Sequence, residues 1–223
     1  RKGREEKPLA IMVPNVEAAS QLVMLDARSE ELLQSPRRPI VLLPKRADCP
    51  VAESVAPRNA FLGVMLPYTP LHHLLLRDRF RALVMTSGNL SEEPICIDNR
   101  EAVERLSGIA DFYLVHNRDI LVRCDDSVVR WVPGNAGFPI RRARGFVPQP
   151  VVLPWELPPT LAVGAELKNT VCLAEGSRAT LSQHVGDLEN LEALEFFEEV
   201  VAHLQSILRV EPRILAHDLH PDY

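Results

Sequence analysis

The residues best suited to chemistry lie in three polar stretches, each next to β-like apolar runs. They read LVMTSGNLSEEP (Leu83 to Pro94), HNRDILVRCDDSVVR (His116 to Arg130) and IRRARGFVP (Ile140 to Pro148). Hydroxyls, amides and guanidinia hold phosphate oxygens, and arginine meets them with a rigid fork of donors. The pattern predicts a phosphorylated ligand, of nucleotide type, held at strand ends. Thr86, Ser87 and Asn89 flank Gly88, which lets the backbone come close to a ligand, although TSGN also suits an ordinary turn. Asp125 and Asp126, beside Ser127, either help hold Mg²⁺ among phosphate oxygens or balance the charge of Arg123, Arg130 or Arg141. On a strand, Arg142 and Arg144 share one face and Arg141 takes the other. Near the start, Lys2, Arg4 and Lys7 either converge on a triphosphate or form a solvated basic segment.

Other chemistries find less support. The four cysteines, Cys49, Cys96, Cys124 and Cys172, have no CxxC spacing, so free buried thiols are expected rather than a metal knuckle or redox pair. No Ser-His-Asp set is visible. The chain has 223 residues, 46% hydrophobic, with net charge −5. That describes an ordinary globular protein without long-range attraction for nucleic acid. No apolar run approaches the ~20 residues of a membrane span. A reducing cytoplasm fits this composition.

Elements must position these groups. LAIMV, PIVLLP, LGVML and ALVMTS read as strands. Asn15 caps a helix carrying Val16, Ala19, Leu22, Val23 and Met24, LHHLLLRDRF forms another, and Asn99 to Leu106 a third. DFYLV, ILVRC, SVVRWV and IRRAR follow as closely spaced strands. Residues 146–160 hold five prolines and predict a stiff connector. Beyond it, LAVGAELKNT, VCLAEG and ATLSQHVGD read as a meander with glycine turns. A helix from Leu188 to Leu208 follows, with Asp187 as its N-cap and Leu191, Leu194, Phe197, Val201 and Leu204 on one face. ILAHDLHPDY supplies a last strand. The expectation is α/β, with a mixed twisted sheet followed by the beginning of a second domain.

Several long segments, in order, resemble one family. KPLAIMV, GVMLPYTPLHHLLL, LVMTSGNLSEEP, GIADFYLVHNRDILVRCDDSVVR and RRARGFVP resemble the YrdC-like domain of HypF-type carbamoyltransferases, the hydrogenase maturation proteins. LAVGAELKNTVCLAEG, LSQHVGDLEN and HDLHPDY resemble the start of their ASKHA-like, TsaD-like domain. The resemblance implies a YrdC-like adenylation domain at 1–148, its first part missing, a linker at 149–160, and an incomplete transfer domain at 161–223. It implies that ATP converts carbamate, derived from carbamoyl phosphate, to carbamoyl adenylate. The carbamoyl group then passes to the C-terminal cysteine of a HypE-like acceptor during [NiFe] hydrogenase maturation.

Lys2, Arg4 and Ser87 take catalytic roles in that picture. Lys7, Thr86, Asn89, Ser127, Arg130 and Arg141 bind nucleotide, with Mg²⁺ at Asp126. Lys168, Asn169, His184 and Asp187 are implied ligands of the second domain. Zinc is expected only in regions of a longer parent protein. Two rivals stand beside this reading. One is threonylcarbamoyl-AMP synthesis for tRNA modification, which the LKNT and SQHVGD segments weigh against. The other is an RNA-binding module, as the double-stranded RNA binding in the domain's name suggests, disfavoured by the acidic charge and 5% aromatic content.

Overall fold

The computed structural model describes residues 7–91, 93–132 and 137–219, so Lys2 and Arg4 lie outside the described residues. In chain order the elements are β1 (Ala10–Met12), α1 (Val16–Ser20), α2 (Ala27–Gln34), β2 (Ile40–Pro44), β3 (Phe61–Met65), α3 (Pro70–Leu76) and β4 (Leu83–Met85). They continue with α4 (Asn99–Arg105), β5 (Val128–Arg130), β6 (Phe138–Arg141), β7 (Val151–Val163), β8 (Val171–Leu181), α5 (Leu191–Leu208) and β9 (Ile214–Ala216). Local chemistry sets several boundaries. Asn15 Oδ1 accepts the Ala18 N–H at 2.8 Å and opens α1 as expected. Asp26 and Ser29 form a reciprocal capping box that starts α2. The helix expected to reach Met24 is shorter: α1 stops at Ser20, and Val23 instead bridges to Lys45, while α2 lies beyond the expected helix.

The chain forms two compact units that do not follow chain order. One holds the described residues of 7–87 with 126–141. Its mixed six-stranded sheet has the order β4-β1-β3-β2-β5-β6. β1 runs parallel to β3, and β2 parallel to β5, while the other neighbours are antiparallel. Alternation on the central strands feeds two cores. Ile11, Val13, Val41, Leu43, Leu62 and Val64 pack with Leu33 of α2 and Trp131, and Met12 and Met65 turn the other way to meet Leu76 of α3.

The other unit combines 88–125 with the described residues from 142 onward. Its three-stranded sheet has the order β8-β7-β9, with β8 antiparallel and β9 parallel to the central β7. Helix α5 covers it, burying Phe196, Val200 and Leu204 against Val171 and Leu173.

The proline-rich 149–160 segment is extended, but it pairs as most of β7 rather than serving as a free connector. Pairing survives because the register breaks between Val152 and Leu157 and again before Thr160, where Pro154, Pro158 and Pro159 lack N–H donors. VCLAEG and ATL are one strand, since Gly176 adopts φ 57° within β8 and absorbs the irregularity without turning the chain. DFYLV and ILVRC form no strand. Phe112 is 94% and Leu121 91% exposed, so their apolar pattern has no sheet to join. Asn190, not Asp187, caps α5, accepting the Ala193 N–H at 2.8 Å. The buried face of α5 is rotated accordingly, leaving Leu191 and Leu194 exposed. The cysteines are free as expected, but Cys124 is exposed and the other three only partly buried.

Candidate functional site

Strand register fixes where the expected phosphate-binding residues sit. Met85 pairs with Ala10, Ala10 with Gly63, Gly63 with Leu42, and Leu42 with Arg130, so these residues form one row across the sheet. Lys7 approaches β1 beside the point where Thr86 and Ser87 leave β4, because the two strands are adjacent and antiparallel. Lys7 and Thr86 are exposed and Ser87 half-buried. The sheet therefore brings a cation and two hydroxyls to one end.

The second group enters from the opposite end. Ser127 is fully buried, and its carbonyl accepts the Ile40 N–H at 2.8 Å, locking the start of β5 to β2. Asp126 precedes it, half-buried. Val128 pairs with Arg141 of β6, which puts Arg141 beside Ser127. β4 and β5 stand four strand spacings apart in the sheet order, about 19 Å in a flat sheet. Arg130 stands apart from Ser127: exposed, its guanidinium lies 5.3 Å from the Phe61 ring centroid.

The expected strand alternation of the three arginines ends with β6 at Arg141. The Arg142 guanidinium instead donates to the carbonyls of Gln149, at 2.8 Å, and Phe146, at 3.3 Å, and so closes the turn leading to β7. Asn89, in the other unit, donates from Nδ2 to the Glu93 carbonyl at 2.6 Å. The same small loop is closed by Cys96 N–H on the Gly88 carbonyl at 2.9 Å.

The four second-domain candidates lie on two turns that face each other. Asn169 bridges to Gly186: its N–H reaches the Gly186 carbonyl at 2.7 Å, and its own carbonyl accepts the Val185 N–H at 2.9 Å. The Asn169 side chain, 1% exposed, donates to the Gly164 carbonyl at 2.7 Å, while its Oδ1 is buried without a protein partner. Lys168, exposed and at φ 53°, gives its N–H to Asp187 Oδ1 at 2.5 Å. Lys168, Asn169 and Asp187 are thus gathered into one cradle. His184 lies two residues before Gly186, with its N–H on the Arg142 carbonyl at 3.1 Å. Sequence reading missed Gly164. A Cβ there would stand 2.8 Å from the Thr170 carbonyl oxygen, so only glycine lets the two backbones meet. Its signal was the Gly that ends an apolar run just before the polar turn.

Among the described residues no group of three or more His, Cys, Asp or Glu could hold a metal alone. Mg²⁺ does not require such a cage, since it commonly takes one or two carboxylates with substrate phosphates, and Asp126 fits that donor type.

Residues 1–143 match the Sua5/YciO/YrdC family, described as "Telomere recombination". The chain belongs to this family. Residues 156–223 match the HypF Kae1-like domain. Curated relatives include Carbamoyltransferase HypF of Rhizobium leguminosarum bv. viciae, 50% identical, and that of Synechocystis sp., 48% identical, each covering the whole chain. The chain spans about 30% of the length of these relatives. A crystal structure of full-length HypF in the phosphate- and nucleotide-bound form superposes with TM-score 0.94 at 46% identity, covering 100% of this chain and 35% of that one. P. abyssi Sua5 complexed with L-threonine matches at TM-score 0.55 and 14% identity, covering 98% of this chain and 77% of that chain, a likeness of fold alone. The α/β class, with two mixed sheets, agrees with the family.

Proposed function

We propose that the chain carries the ATP-dependent carbamoyl-adenylate step of a carbamoyltransferase that matures [NiFe] hydrogenase, together with the opening of its transfer domain. The observation that carries this reading is the likeness, across the whole chain, to HypF in a phosphate- and nucleotide-bound form. The functional modules are 1–148 for adenylation and 161–223 for the start of transfer, with cytoplasm as the setting. No described helix is long and apolar enough to cross a membrane.

In the proposed reaction a carbamate oxygen attacks the α-phosphorus of ATP in line, and pyrophosphate leaves with the electron pair of the breaking P–O bond. The demand on the protein is orientation and charge neutralisation rather than a side-chain nucleophile. Lys2, Arg4 and Lys7 neutralise the departing pyrophosphate, and Thr86, Ser87 and Asn89 orient the phosphates. Ser127 and Arg141, across the sheet, suit the other end of an extended nucleotide. Arg130 serves at the periphery. Asp126, beside Ser127, would be the carboxylate donor for Mg²⁺ at that end of the sheet, where the ion would supply further charge neutralisation. Lys168, Asn169, His184 and Asp187 receive the activated carbamoyl group or its nucleotide, for delivery to a HypE-like acceptor.

ATP–pyrophosphate exchange tests the substrate. Exchange is expected with carbamate generated from carbamoyl phosphate. Exchange only with threonine plus bicarbonate would overturn the reading.

A further inference from the structure

Arg123 lies in the part of the chain that matches the first family, yet its contacts reach into the part that matches the second. Its Nη1 donates to Glu199 Oε2 on α5 at 2.5 Å, and its guanidinium lies 5.5 Å from the Phe196 ring centroid. Its carbonyl accepts Gln183 Nε2 at 2.5 Å, on the segment that leads into the second-domain cradle. Its Nε donates to the Ile95 carbonyl at 3.0 Å. Ile95 precedes Cys96, whose N–H closes the loop on Gly88, and within that loop Asn89 holds the Glu93 carbonyl. One guanidinium therefore fastens the Asn89 loop on one side and α5 on the other.

Packing alone does not hold this junction. A cavity of about 450 Å³, lined mainly by apolar side chains including Leu121, Val147, Val200 and Ile207, flanks Arg123. Apolar packing is incomplete there, and directed polar bonds set the position of the segment. The Arg123 side chain is only 16% exposed, so its charge is largely withdrawn from water and its bonds outweigh those of a surface pair. Lysine could not replace it, since an ammonium lacks the fork that spans Ile95 and Glu199 at once.

We propose that Arg123 is a positioning residue for nucleotide binding: anchored on α5 and Gln183, it sets the loop that presents Asn89. The assignment rests on the reading of Asn89 as a nucleotide ligand. It adds that residues of the second family region help set the Asn89 loop.

A double-mutant cycle on this chain, read by calorimetric titration with Mg-ATP, tests it. Asn89→Ala is expected to weaken ATP binding about tenfold, the loss of one hydrogen bond to a charged group. Arg123→Ala is expected to weaken it about fivefold in the parent background and not measurably in the Asn89→Ala background, because coupled residues are not additive. Glu199→Ala, at a side chain 58% exposed, loosens the anchor without removing the Ile95 contact. It is expected to cost about twofold, again only when Asn89 is present, and it carries the test if Arg123→Ala does not fold. Equal losses in both backgrounds would mean that Arg123 only supports the fold, and would overturn the assignment. An unchanged affinity in Asn89→Ala would instead sink the nucleotide reading of Asn89 on which it rests.

Discussion

Replacing Gly164 with alanine probes the second-domain cradle through a single methyl group. The added Cβ would lie 2.8 Å from the Thr170 carbonyl oxygen, 3.4 Å from the Thr170 nitrogen and 3.6 Å from Asn169 Cγ. The first two are backbone atoms already committed, since the Gly164 N–H donates to that same Thr170 carbonyl at 3.1 Å. Neither can yield by a rotamer change, so the turn must open. Overpacking of this kind costs about 1–3 kcal/mol. For a chain of this size that corresponds to a fall of roughly 2–12 °C in the melting temperature of the unit containing β7 and β8. Gly108→Ala is the matched control, because a Cβ there would meet nothing within 4 Å and its φ lies outside the left-handed region. Scanning calorimetry of both variants, with amide exchange at Asn169 and Val185, reads the outcome. The Gly164 variant should melt lower and lose protection at those two amides, whose bonds join the turns. A melting temperature equal to that of the Gly108 variant would refute the close-approach argument.

Two further outcomes follow from the caps and the thiols. Asn190→Ala removes the side-chain acceptor of the Ala193 N–H and should destabilise the unit by about 1 kcal/mol in urea melts, whereas Asp187→Ala should leave the α5 start intact in amide exchange. Burial pushes the thiols of Cys172 and Cys96 up from their ordinary range, chiefly by desolvation of the thiolate. Iodoacetamide at about pH 8 should therefore modify exposed Cys124 well ahead of both, and mass spectrometry showing Cys172 labelled first would contradict that ordering.

Much of the first sheet was legible because its strands are short apolar runs bounded by caps, as with Asn15 before α1. Legibility failed where pattern alone cannot name a partner. DFYLV alternates like a strand, but no neighbouring edge receives it, and Phe112 stays in solvent. The prolines before Thr160 argued against pairing, but irregular register lets a strand carry them between its bonded residues. Asp187 and Asn190 are both good caps three residues apart, and the packing of Phe196 and Val200 decides between them. In the candidate site, residue types were readable from composition after each strand, whereas their division between two ends of the sheet depends on strand order. Arg123 was visible only as a charge to be balanced, since its role depends on Glu199 and Ile95, far away in sequence.

The strand order also has a kinetic consequence. β2 waits for β5, and residues 45–127 must be made and set aside before that parallel pair can close. Loop-closure entropy rises by about 0.6 kcal/mol with each doubling of length, so this pairing is a late and slow event compared with β2 on β3. Until it happens, one edge of β2 has no neighbour, and Val41 and Leu43 lack the cover that Trp131 later completes. A nascent chain would thus hold a four-stranded intermediate with an open edge through the synthesis of the whole 88–125 excursion, the interval in which chaperone protection matters most.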